Sequence, residues 1–154
     1  QGNVLDIIDQ DWDLAIFHPP CTYLCVSGAR WFEGRRDLQK QGLAFVKTLI
    51  LAPIPRICIE NPVSIISTRI RKPDQVLQPW MFGHGECKSI CLWLKNLPLL
   101  QPTCFETGRE QKIHNMSPGP ERSRERSRFY TGIAEAMSLQ WSVLPRLEYV
   151  KPLF

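Results

Sequence analysis

The sequence predicts an α/β fold, and three observations predict it. Two short runs, Leu14-Ala15-Ile16-Phe17 and, after Arg56, Ile57-Cys58-Ile59, are apolar and each stop at polar residues and a proline. A segment with helical spacing lies between them. Strand, helix and strand over this length make a β-α-β unit, whose two strands run parallel.

Each element has its own signal. Val4 to Ile8 is a short apolar patch that ends in the acidic turn Asp9–Asp13. Leu14–Phe17 is continuously apolar and halts at His18-Pro19-Pro20, which favours a buried strand over a helix. From Arg36 to Leu51 the residues Leu38, Leu43, Phe45, Val46, Leu49 and Ile50 mostly recur at helical spacing, and Pro53 stops the helix. The second strand ends in Glu60-Asn61-Pro62. Residues 69–88 read as a basic loop. Ile90 to Leu94 reads as a third strand, and Gly132 to Trp141 as a helix. Trp80, Phe82 and Trp93 read as core or loop anchors, and His84 as structural or exposed. The whole chain, residues 1–154, reads as one domain, with 95–128 as a small irregular lobe rich in Pro, Gly and charge.

Composition narrows the function classes. Hydrophobic content of 44% and charged content of 22% are ordinary for a globular protein. No apolar run reaches the ~18 residues of a membrane span. Residues 1–13 are polar and acidic, unlike a secretory signal. These features predict a cytoplasmic protein, and the missing initiator Met suggests a fragment. The six cysteines include two C-x3-C pairs, Cys21/Cys25 and Cys87/Cys91, without a His-x3-His. That spacing fits neither a zinc knuckle nor a secreted disulfide framework, so no metal is expected. Residues 1–68 carry 6 basic and 7 acidic side chains, and 69–154 carry 13 and 8. A basic second half suits a phosphate-bearing partner.

The chemistry sits at the strand ends. In a parallel sheet, functional groups collect at the carboxyl ends of the strands. Cys21 follows the first strand and Glu60 ends the second, which puts a thiol and a carboxylate on one rim. A thiolate there is a nucleophile. A semi-buried carboxyl can hold or protonate a ring nitrogen.

These residues carry a resemblance. Pro19-Pro20-Cys21 is similar to the nucleophile loop of DNA cytosine-5 methyltransferases, and Glu60-Asn61-Pro62 to their E-N-V motif, with Pro in place of Val. Short phage-encoded members share longer stretches. These are similar to His18 through Leu24, Ile66 through Gln75, Pro79-Trp80-x-Phe82-Gly83-His84, Cys91 through Lys95, and Gly132 through Met137. The resemblance implies a partial Rossmann-like fold of the S-adenosylmethionine-dependent methyltransferases. It implies attack of Cys21 on C6 of a flipped cytosine, with Glu60 holding N3 and Asn61 as the third catalytic position. S-adenosyl-L-methionine is the implied cofactor, with Asn3 and Pro19 as its expected contacts. DNA is the implied partner, with Arg69, Arg71, Lys72, Lys88, Arg126 and Arg128 as expected contacts. Arg122 and Arg124 extend that basic run.

The family's main donor-binding segments precede the region matched here. The expectation is therefore a catalytic portion that lacks them, encoded by a phage in a bacterial host. Such a portion would leave a sheet edge open to a second copy or a complementing subunit. The alternative reading is a catalytically inactive prophage remnant that binds DNA or a partner. An amino-methyltransferase ranks lower, because His18-Pro19-Pro20-Cys21 lacks both the acidic or amide residue and the aromatic of that motif.

Overall fold

The computed structural model describes residues 2–147, apart from the side chains of Trp31, His114 and Ser123. The strands are β1 (Leu14–Phe17), β2 (Arg56–Pro62), β3 (Gln75–Leu77) and β4 (Ile90–Lys95). The α-helices are α1 (Arg36–Ile50), α2 (Ile66–Arg69), α3 (Lys112–Asn115), α4 (Pro120–Ser127) and α5 (Thr131–Trp141). Hydrogen bonding links the strands in the order β1-β2-β4-β3, and the fold is mixed α/β. β1 pairs with β2 in parallel, with Leu14 opposite Arg56 and Phe17 opposite Ile59.

The chain forms two compact units. One comprises the residues up to Gln75, Cys91–Pro98 and the segment from Pro145; the other comprises Val76–Ile90 and Leu99–Leu144. The chain passes between them inside β3, at the start of β4, at Pro98–Leu99 and at Leu144–Pro145.

The first unit is built around β2. Its residues Arg56 to Ile59 are all buried, which explains a run with no polar alternation. Ile57 and Ile59 share a core cluster with Val46 and Leu49 of α1, Leu24, Ile66 and Trp93. Helix α1 carries Asp37 in its first turn and Lys47 in its last, both complementing the helix dipole. It closes with the Leu51 amide donating to the Lys47 carbonyl, just before Pro53. Buried Arg56 donates to the Pro145 carbonyl. Asn96 takes a positive φ of 52° after β4, and its amide donates to the Pro55 carbonyl at 2.8 Å. The 3-10 turn Val4–Asp6 opens the chain, capped by Asn3.

The second unit centres on α5, which buries Ile133, Ala136, Met137 and Trp141. Gly132 is required there, because a Cβ would lie 2.0 Å from the Phe82 carbonyl oxygen. Its amide donates to His84 Nε2 at 3.0 Å, which gives His84 a structural role. Tyr130 donates to Glu86 at 2.9 Å, and burial, then this bond, push the phenol well above its ordinary pKa.

Two sequence expectations change. Residues 69–88 contain the three-residue strand β3, too short to announce itself. The stretch 95–128 is not all loop, for it contains α3 and α4. Pro120 takes the first turn of α4, where its missing N–H costs nothing. Charges three residues apart then pair, Arg124 with Glu121 at 2.9 Å and Arg128 with Glu125 at 3.7 Å.

Ile59→Ala, at a fully buried position, is expected to cost about 2–5 kcal/mol in urea unfolding. Leu51→Ala, at a position 79% exposed, is expected to stay within about 0.5 kcal/mol.

Candidate active site

Parallel pairing sets the site. Phe17 faces Ile59 in the ladder, so the next residues, His18 and Glu60, emerge at the same level. Side chains alternate along a strand, so these two follow Ile16 and Cys58 on one face. His18 Nδ1 lies 2.9 Å from Glu60 Oε2, an imidazole N–H donating to a carboxylate. One position further on, Asn61 is buried, and its Nδ2 donates to the Pro19 carbonyl at 2.8 Å.

Backbone bonds extend this tie on both sides of Cys21. The Leu24 and Cys25 amides donate back to the Cys21 carbonyl at 3.0 and 2.9 Å. The Val26 amide donates to the Val63 carbonyl, and the Ile65 amide to the Leu24 carbonyl. Cys25 and Ser64 form an isolated antiparallel bridge. Leu24, 1% exposed, anchors the turn in the core. The loop bearing Cys21 is therefore stitched to the end of β2, which bears Glu60, and to the loop that follows it.

The thiols differ in kind. Cys25, Cys58 and Cys91 are buried, whereas Cys21 is half-buried. Burial first, and the Glu60 charge second, push the Cys91 thiol up to about 11 and Cys58 higher still. Both buried thiols are inert at neutral pH. Within the first unit, Cys21 alone combines partial exposure with a strand-end position.

The other expected site residues fall in several places. Arg69, at the end of α2, and Lys72 are exposed. Arg71 pairs with Asp74 at 2.7 Å and donates to the Leu94 carbonyl at 2.9 Å, so it braces β4. Lys88 donates to the Arg126 and Arg128 carbonyls at 2.8 and 3.0 Å, closing the end of α4. The side chains of Arg126 and Arg128 are exposed, the latter ion-paired with Glu125. Asn3 Oδ1 accepts from the Leu5 amide at 3.1 Å, and the Pro19 carbonyl accepts from Asn61.

His18 is the residue of this rim that the sequence reading left without a role. Its signal was positional, because His18 and Glu60 each follow four aligned strand residues. Among the described residues no three His, Cys, Asp or Glu side chains gather as a metal site. No described helix is long and apolar enough to cross a membrane. Two surface hollows, about 710 and 310 Å³, are lined by second-unit residues such as Lys112, Met116 and Gln78. Both are shallow and open, and neither includes the stitched loops.

No protein-family model matches the chain, and comparisons with curated proteins and with solved structures return no match. The functional case rests on the residues and their geometry.

Brief alkylation of the native protein at pH 8, read by peptide mass spectrometry, is expected to label Cys21, Cys87 and Cys104. Cys58 and Cys91 are expected to stay unlabelled, with roughly one thiolate in a thousand at Cys91. Asn61→Ala removes a buried tie and is expected to cost about 1–3 kcal/mol in denaturant unfolding. The same change is expected to speed Cys21 labelling.

Proposed function

We propose that the stitched loops are the base-activating centre of a DNA cytosine-5 methyltransferase of Rossmann-like type. The observation that carries this reading is the double tie, His18–Glu60 and Asn61–Pro19. It keeps a half-buried thiol and a mostly buried carboxyl on one rim. Few substrates need both groups. A cytosine ring does, because C6 becomes electrophilic only when N3 is held by an acid.

The addition step uses this chain's own residues. Cys21 Sγ bonds to C6, the C5–C6 π pair moves onto C5, and the Glu60 carboxyl holds N3 through a shared proton. C5 then takes a proton from solvent. On reversal C5 gives up a proton, the Sγ–C6 bond breaks, and Cys21 leaves as thiolate. A base inside a duplex is out of reach, so the substrate is an extruded or single-stranded cytosine. Exposed Arg69 and Lys72, a few residues beyond Glu60-Asn61-Pro62, support backbone contacts to the nucleic acid. Further partners in this reading are a second copy of the chain or a complementing subunit.

The methyl donor of that family, S-adenosyl-L-methionine, does not fit the described residues. Asn3 spends its side chain on a cap and Pro19 spends its carbonyl on Asn61. Gly83-His84-Gly85 has the Gly-x-Gly spacing but opens no helix; Gly83, at φ +78°, donates instead to the Cys104 carbonyl. These positions do not build a donor site. That observation keeps a second reading in play, a cytosine-binding module without transferase activity.

Exchange of the cytosine C5 hydrogen in D2O reads the addition step without any donor. Single-stranded DNA is expected to gain deuterium at C5 in the presence of the protein. Cys21→Ser is expected to lower the rate more than ~100-fold, and Glu60→Gln by ~100-fold or more. DNA containing 5-fluorocytosine, incubated with S-adenosylmethionine, reports methyl transfer as a trapped adduct. Exchange without an adduct supports the module, and neither signal overturns the cytosine reading.

A further inference from the structure

We infer that His18 is a positioning residue that holds a shared proton for Glu60, so that the carboxyl is available as an acid at neutral pH. The inference rests on the cytosine reading above. Glu60 is 13% exposed and His18 is 44% exposed, with 2.9 Å between Nδ1 and Oε2. The carboxyl is shielded, the imidazole is in exchange with water, and one hydrogen bond joins them.

The chemistry of the pair differs from that of a lone carboxyl. A free carboxylate has lost its proton by neutral pH, whereas an imidazole changes charge between about pH 5 and 8. With His18 protonated, the pair holds one transferable proton. As the base takes up the site, the Nδ1–H bond breaks and an O–H bond forms on Glu60. The imidazolium and the carboxylate both become neutral. When the base leaves, the same proton returns to Nδ1. No oxidant, metal or further reactant enters, and the charge of the pair stays at zero throughout.

The surrounding groups permit this. On β2 the titratable neighbour is Cys58, and on β4 it is Cys91. Cys21 and Cys25 lie on the loop that follows His18. Cys58 and Cys91 stay as neutral thiols, so they neither compete for the proton nor place a second negative charge beside Glu60. Arg71 is turned to Asp74 and Leu94. No cation other than His18 makes a short ion pair with Glu60 among the described residues.

The test compares wild type, His18→Asn and His18→Ala by C5 exchange from pH 5 to 9. Asparagine keeps an amide donor near the Nδ1 position but carries no transferable proton. Wild type is expected to exchange fastest near neutral pH and to slow toward pH 9. His18→Asn is expected to fold normally, to lose at least ~10-fold at pH 7, and to shift its falling limb to lower pH by more than ~1 unit. A His18→Asn profile that overlays the wild type overturns the inference, because a plain hydrogen bond then suffices.

A second readout separates this failure from failure of the cytosine reading. Nitrogen-15 NMR of wild type near pH 6 is expected to show a protonated, strongly deshielded Nδ1–H at His18. That signal is expected to vanish in Glu60→Leu. Its absence in the wild type overturns the inference whatever the activity. Its presence with no C5 exchange at any pH overturns the cytosine reading and leaves the proton-sharing pair standing.

Discussion

A buried amide that donates to the Pro19 carbonyl holds the site together. Asn61 sits at the end of β2, and Pro19 lies two residues past the end of β1. Without that bond a proline carbonyl and an asparagine side chain would both lose a partner in a region shielded from water. The cost of leaving a buried polar group unmade exceeds the net gain of an average hydrogen bond. The two loops consequently behave as one object, and the backbone bonds from Val26 and Ile65 extend the seam beyond Cys21. The backbone of the thiol's neighbours fixes the loop that carries it.

Burial sorts the ionisable groups around that seam. Cys58 and Cys91 lie deep enough that desolvation keeps them protonated, and Glu60 adds to the effect. The same carboxylate meets an exposed imidazole on its other side. Thus one acid is insulated toward the core and connected toward solvent.

Much of the fold was legible because β1, β2 and β4 are continuous apolar runs, and α1 has a clear period with a proline stop. β3 was not legible, since Gln75-Val76-Leu77 is too short to show a period. Helix α4 was not legible either, because Pro120–Ser127 has no apolar face and gains support from a favourable first residue and paired charges. The division into two units was hidden because the chain passes between them four times, twice within strands and twice at single prolines, Pro98 and Pro145, with no long linker to mark it. At the site, Cys21 and Glu60 were legible from strand-end position. The partnership of His18 with Glu60 required the register, which a sequence implies only once both strands are aligned. Asn61 was read as chemistry, and the structure gives it a mechanical task. Expected DNA contacts divide on the same principle: exposed Arg69 and Lys72 are available to a phosphate, whereas Arg71 already has a carboxylate and a carbonyl to satisfy.

The parallel register also limits how this protein can change length. His18 and Glu60 lie level because each stands four residues beyond the paired start at Leu14 and Arg56. Deleting or inserting one residue in either strand would turn one member of the pair to the opposite face and put its sequence neighbour in its place. The connection from Leu51 to Pro55 is under no such restriction, provided that α1 still returns to the sheet. Variation in chain length among natural or engineered versions should therefore gather in the turns, while the two strands keep a strict residue count.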